Sequence, residues 1–124
     1  MEKTIIIDGK EVKMKSSAAV PRMYRKQFGR DIFKDMMKLK KDVDKKKNRN
    51  REIPIESLEM FENVAYVMAK HADWENVPNN IMEWMERFET FSIYEVLPEI
   101  MSLWDLNNKK LEDPKKNSVL QNVK

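Results

Sequence analysis

The first legible pattern along the chain is Thr4-Ile5-Ile6-Ile7, then Asp8-Gly9, then Lys10-Glu11-Val12-Lys13-Met14-Lys15, in which apolar and charged positions alternate. A β-branched run and an alternating run on either side of Asp-Gly predict a β-hairpin over residues 4–15, because Asp-Gly readily adopts the left-handed conformations of a tight hairpin turn. Isoleucines in succession cannot alternate with polar residues. One face of the first strand is therefore expected to lie on the body of the protein, while Lys13 and Lys15 of the second face water. A lone hairpin is marginal in water, so it has to pack on something.

Downstream the period becomes helical. Ser16 and Ser17 are candidate caps, and Val20, Met23, Tyr24 and Phe28 follow at helical spacings, with Pro21 compatible with a first turn. Gly29 suits a C-terminal cap, and a second helix starting at once carries Ile32, Phe33, Met36, Met37 and Leu39 through about Lys40. Beyond Val43 there is no apolar side chain until Ile53, so 41–53 reads as a basic loop, or as a solvated helix end leading into one. Pro54 permits a fresh start with Glu56 or Ser57 near the cap, and Leu58, Phe61, Ala65 and Met68 mark one helix to about Asp73. Pro78-Asn79-Asn80 opens a short helix bearing Ile81, Trp84, Met85 and Phe88. A last helix carries Ile93, Val96, Leu97, Ile100, Met101 and Trp104, with Pro98 marking a bend or a late start. The fold class expected is mainly α, a small helical domain of about five helices with an N-terminal β-hairpin, spanning 1–107. Residues 108–124, rich in Lys and Asn, read as a flexible C-terminal tail.

At 124 residues the chain has room for one core, and its 41% hydrophobic and 36% charged composition fits a folded domain with a densely ionic surface. With no cysteine, a disulfide framework, a thiolate zinc site and a cysteine nucleophile are excluded. The longest apolar run, around Val64 to Met68, falls far short of the ~20 residues of a membrane span. The N-terminus shows no basic leader followed by an apolar stretch, so the expected location is the cytoplasm. The net charge of +3 conceals a segregation: residues 1–51 carry +10, residues 52–107 carry −10 and the remainder +3. Such asymmetry suggests halves that fold against each other, or a head-to-tail self-association.

Candidate chemistry is sparse. His71 is the sole histidine, Lys70 sits beside it, and it reads as a helix-end residue whose positive form would suit the helix C-terminus. Glu56, Glu59 and Glu62, or Glu83, Glu86 and Glu89, could be imagined as acid/base pairs or oxygen ligands, but their spacing describes exposed helix faces. Two glycines leave little room for a phosphate-cradling loop, and no nucleophile elbow is present, so neither enzyme chemistry nor a cofactor or metal is expected. The ten methionines and the aromatics of the second half offer adaptable contacts instead. Met68, Trp84, Met85, Phe88, Phe91, Tyr94, Met101 and Trp104 are the candidate partner-binding residues. The basic stretch with Lys40, Lys41, Lys45, Lys46, Lys47, Arg49 and Arg51 could serve self-association. Alternatively it could neutralise phosphates, as in a small nucleic-acid-binding regulator using 38–51, although it lacks an aromatic to stack bases.

As a whole the sequence resembles the tail assembly chaperones of long-tailed phages and prophages of Gram-positive bacteria. The resemblance rests on block order over roughly residues 4–107: the hairpin around Asp8-Gly9, then Ala18 to Asp31, then Phe61 to Ala69, Trp84-Met85-Glu86-Arg87-Phe88 and Phe91 to Trp104. It implies a helical, non-enzymatic protein of the host cytoplasm. Such a protein holds the tape measure protein while tail-tube subunits polymerise around it, with the tube protein as a second partner, and is absent from the mature virion. It also implies a longer frameshifted product, and Lys115-Lys116-Asn117 lies where a slippery codon run could sit.

Overall fold

The computed structural model describes residues 1–49 and 53–112; the side chains of 44–49 and 106–112 lie outside that description. The element order is β1 (Glu2–Ile7), β2 (Lys10–Lys15), α1 (Val20–Phe28), α2 (Ile32–Arg49), α3 (Ile55–Ala72), α4 (Ile81–Met85) and α5 (Ile93–Glu112). The protein is therefore mainly helical, with five helices and one N-terminal antiparallel hairpin. Among the described residues no helix is long and apolar enough to cross a membrane.

The hairpin pairs Ile5 with Val12 and Ile7 with Lys10 around a turn in which both Asp8 (φ 55°) and Gly9 (φ 74°) are left-handed. Two successive positive φ angles match the right-handed twist of the strands, which explains why Asp-Gly stands there. The isoleucine run does alternate in burial: Ile5 and Ile7 join Met14 in the core, while Ile6 is exposed. Asp8 also ties the hairpin tip to the far end of the chain, accepting hydrogen bonds from the Glu89 N–H (2.8 Å) and the Thr90 hydroxyl (3.3 Å). The Glu89 N–H is the main reason its carboxyl is held below the usual carboxylate value.

Ser17 does not cap α1, as neither serine does; Ala19 occupies the cap position. The Ser17 hydroxyl instead accepts from the Ala19 N–H (3.1 Å) and pairs with His71 Nε2 (2.8 Å), organising the turn before the helix. Gly29 closes α1 in the left-handed conformation (φ 67°), its N–H donating to the Arg25 carbonyl (2.7 Å). Asp31 then accepts from the Phe33 N–H (2.9 Å) and starts α2. The expected end of α2 near Lys40 is too early. The helix runs on to Arg49, so 41–49 of the expected basic loop is helical, and 50–52 lie outside the described residues. Part of the reason is local: the Ser57 hydroxyl on α3 donates to Asp42, and Lys38 pairs with Asp42 one turn back (3.2 Å), anchoring this part of α2.

α3 is the central element. Val64 to Lys70 are buried without interruption, so the helix is covered all round over this stretch, and β2, α1, α2, α4 and α5 pack against it. Its cap is Pro54 rather than Glu56 or Ser57. Lys70, only 7% exposed, donates from Nζ to the carbonyls of Trp74 (2.9 Å) and Val77 (2.6 Å), and Tyr66 donates to the Pro78 carbonyl (2.6 Å). These bonds fasten the 73–80 connection to α3. Asn80 caps α4, accepting from the N–H groups of Met82 and Glu83. The helix stops at Met85, before the expected Phe88, and tight turns bring Phe88 back beside Trp84. α5 begins at Ile93 and continues through the exposed Pro98, which is not a late start, and it passes the expected boundary at 107 as far as Glu112. The remainder of the expected tail, 113–124, and with it Lys115-Lys116-Asn117, lies outside the described residues.

One buried group is unsatisfied: the Ser16 hydroxyl, fully buried, has no hydrogen-bond partner among the described residues. A buried hydroxyl without a partner costs free energy, so Ser16→Ala is expected to raise stability by about 1 kcal/mol, read as a higher urea midpoint at unchanged slope. A lowered midpoint would mean that the hydroxyl is bonded in solution.

Candidate partner-binding surface

α2 and α5 both dock on α3 and run antiparallel to each other. The Phe33 ring near the start of α2 lies 5.3 Å from the Trp104 ring on α5, while Lys40 and Val43 sit level with Ile93, Tyr94 and Leu97. Between the two helices lie two adjoining cavities of about 260 and 210 Å³. The first is walled by Val43, Ile93, Tyr94, Leu97 and Pro98, the second by Phe33, Met36, Met37 and Trp104. Both share Lys40, Met101 and Asp105, so they form one apolar trough. Its rims are open to water: Met37 is 74% exposed, Tyr94 59% and Phe33 48%. Large apolar side chains so exposed and so close together mark a contact surface more than isolated ones do. The charged residues that line the trough are Lys40 on α2 and Asp105 on α5; the exposed Lys34 and Lys41 stand three residues before and four after Met37, on the same side of α2, and the exposed Glu95 follows Tyr94 on α5.

The residues expected to meet a partner do not form one surface. Tyr94 and Met101 line the trough, and Trp104, 5% exposed, floors it. Met68 and Trp84 are core residues with no exposed area to offer. Trp84 is the hub of an aromatic cluster, its ring centroid 5.8 Å from Tyr66, 5.3 Å from Phe88 and 5.6 Å from Phe91. Met85, Phe88 and Phe91 are half-buried against the core. Aromatic density thus marks the interior here as strongly as any contact face. Phe33 and Met37, which the sequence places in the apolar stripe of α2, are not among the expected contact residues. The signal was available: Ile32, Met36, Leu39 and Val43 already fill a core-facing stripe, so Phe33 and Met37 broaden the apolar arc beyond what one docking contact covers. Trp74, 63% exposed with the Lys70 ammonium 4.8 Å from its ring centroid, was also missed.

Of the basic candidates, Lys40 and Lys41 are exposed on α2. Lys45, Lys46, Lys47 and Arg49 lie on its helical backbone with side chains outside the description, and Arg51 lies outside the described residues altogether. Among the described residues no group of three acidic or histidine side chains is gathered to hold a metal. Glu62 is pushed above the usual carboxylate value by burial and by the neighbouring Glu59 charge. His71 reverses the expectation of a favoured positive form. Burial first, then the charges of Lys15 and the N-terminal amine, lower its pKa, so the neutral imidazole is the form that sits against Ser17. Comparison of the chain with protein-family models, with curated proteins and with solved structures finds no match.

Proposed function

We propose that this chain is a phage tail assembly chaperone, a non-enzymatic protein that holds a helical client, the tape measure protein, during tail morphogenesis. The observation that carries this reading is the α2/α5 trough, where Phe33, Met37, Tyr94 and Met101 present adaptable apolar contact along two antiparallel helices. An amphipathic client helix laid between them would bury its apolar face, and methionine side chains tolerate clients of varied shape. The order of hairpin, paired helices and aromatic-rich second half supports the same reading through the family resemblance. In this role tail-tube subunits are a second partner.

Co-expression with a phage tape measure protein and its tube protein, followed by pull-down, is the direct test. The tape measure protein is expected to be retained by the wild type, and retention is expected to fall at least about tenfold when Met37 and Tyr94 are replaced by aspartate, because each change places a charge in a desolvated contact. Failure of the wild type to retain either protein removes the reading.

A further inference from the structure

We propose that, in the free protein, the α2/α5 trough is covered by the same face of a second copy, in a two-fold dimer that the client must displace. This rests on reading the trough as the contact surface. The argument comes from the charges at its rims. Lys40 lines the trough from α2, with the exposed Lys34 and Lys41 one helical turn from Met37; Asp105 lines it from α5, with the exposed Glu95 next to Tyr94. A symmetric dimer brings a patch against itself, so each residue meets a counterpart reciprocally. Two antiparallel helices can be covered by their own copy in two ways.

With the axis across the helices, α2 lies on α2 and α5 on α5, and like charges oppose each other on both sides. With the axis parallel to the helices, α2 of each copy lies on α5 of the other, and a basic rim meets an acidic rim twice. Rotation about that parallel axis leaves each residue at its own height along the helices. Phe33 is level with Trp104, so Lys34 of one copy arrives near Asp105 of the other. Lys40 and Val43 are level with Tyr94 and Leu97, so Lys41 arrives near Glu95. Met37 and Tyr94, the most exposed apolar side chains of the trough, are then enclosed. Like-charge opposition disfavours the first arrangement and charge complementarity selects the second. Closed symmetry also distinguishes this dimer from head-to-tail stacking, which would grow without limit.

Sedimentation equilibrium of the full chain and two charge variants tests the proposal. The α2 variant is Lys34→Glu with Lys41→Glu; the α5 variant is Glu95→Lys with Asp105→Lys. Wild type is expected to dimerise, more weakly at high salt. Each variant alone sets like charges together and is expected to dimerise at least about tenfold more weakly. An equal mixture of the two restores opposite charges at both contacts and is expected to recover affinity to within about threefold of wild type, which also shows that both variants fold. A wild-type monomer at high concentration, an open-ended series of masses, or variants that self-associate as well as wild type would each overturn the dimer. A monomer that still retains the tape measure protein would overturn the dimer alone, whereas a dimer with this charge behaviour and no client retention would overturn the functional reading alone.

Discussion

Trp84→Ala is expected to destabilise the protein by about 3–5 kcal/mol, the range for deleting a buried large aromatic. The residue is 1% exposed, and its ring touches Tyr66, Phe88 and Phe91, of which the last two also touch each other at 5.7 Å. Phe91 in turn packs on Phe61 of α3 at 5.2 Å, so Trp84 links the short α4, the connection after it and the central helix. Nothing else on α4 can replace that contact, because Trp84 is the only buried residue of its five. For a chain of this size the loss corresponds to a fall in Tm of more than about 10 °C. Trp84→Phe, which keeps most of the apolar volume, should cost about half as much. A loss below about 1 kcal/mol for Trp84→Ala would mean that the cluster collapses to fill the space.

Asp35→Ala carries the second large effect. Asp35 sits with its side chain 6% exposed at the start of α2 and accepts two hydrogen bonds from Arg30 (2.7 and 2.9 Å) and one from the buried Tyr24 hydroxyl (2.7 Å). It locks α1, the Gly29 joint and α2 together. Removing it leaves Tyr24 without that acceptor in the core, while Arg30, 42% exposed, can turn to water. The expected cost is about 2–3 kcal/mol, less than for a fully buried pair. The pH dependence follows from the same geometry. Burial alone would raise the Asp35 carboxyl, but the Arg30 and Tyr24 hydrogen bonds and the Arg30 charge outweigh it, and its pKa is lowered. The stabilisation is therefore complete above the unfolded value of about 3.9 and is lost as the pH falls through the lower folded value. Urea midpoints between about pH 2 and 6 should fall more steeply for wild type than for Asp35→Asn; parallel curves would place the acid sensitivity elsewhere.

The hairpin, the Gly29 joint and the helix start at Pro78-Asn79-Asn80 are legible because each depends on a short-range rule: an Asp-Gly turn, a left-handed cap and, at Asn80, a side chain two or three residues from the N–H it accepts. The length of α2 is not, since Asp42 is held by Ser57, a contact across fifteen residues that periodicity does not carry. The same limit hid Lys70, whose burial becomes intelligible only when the Trp74 and Val77 carbonyls fold over it. For the candidate site, composition points to Tyr94 and Met101, while Phe33 and Met37 read only as part of an apolar stripe. An apolar side chain on a helix reads alike whether its neighbour is the core or a partner. Only the count of stripes against the number of faces to be covered separates the two cases, and α2 has one stripe more than α3 requires.

The central position of α3 bears on how a client could be accommodated. Among the described residues α2 and α5 are each seated on α3, and the Phe33–Trp104 ring pair spans the gap between them, so the width of that gap is set by how the two helices sit on their shared base. Small opposed rocking of the two helices would widen or narrow the slot while their seats on α3 stay packed, as in shear motions of helices on a shared base. On the proposed reading, a client whose residues vary in bulk along its length would be gripped by one jaw geometry after another, with no refolding between grips.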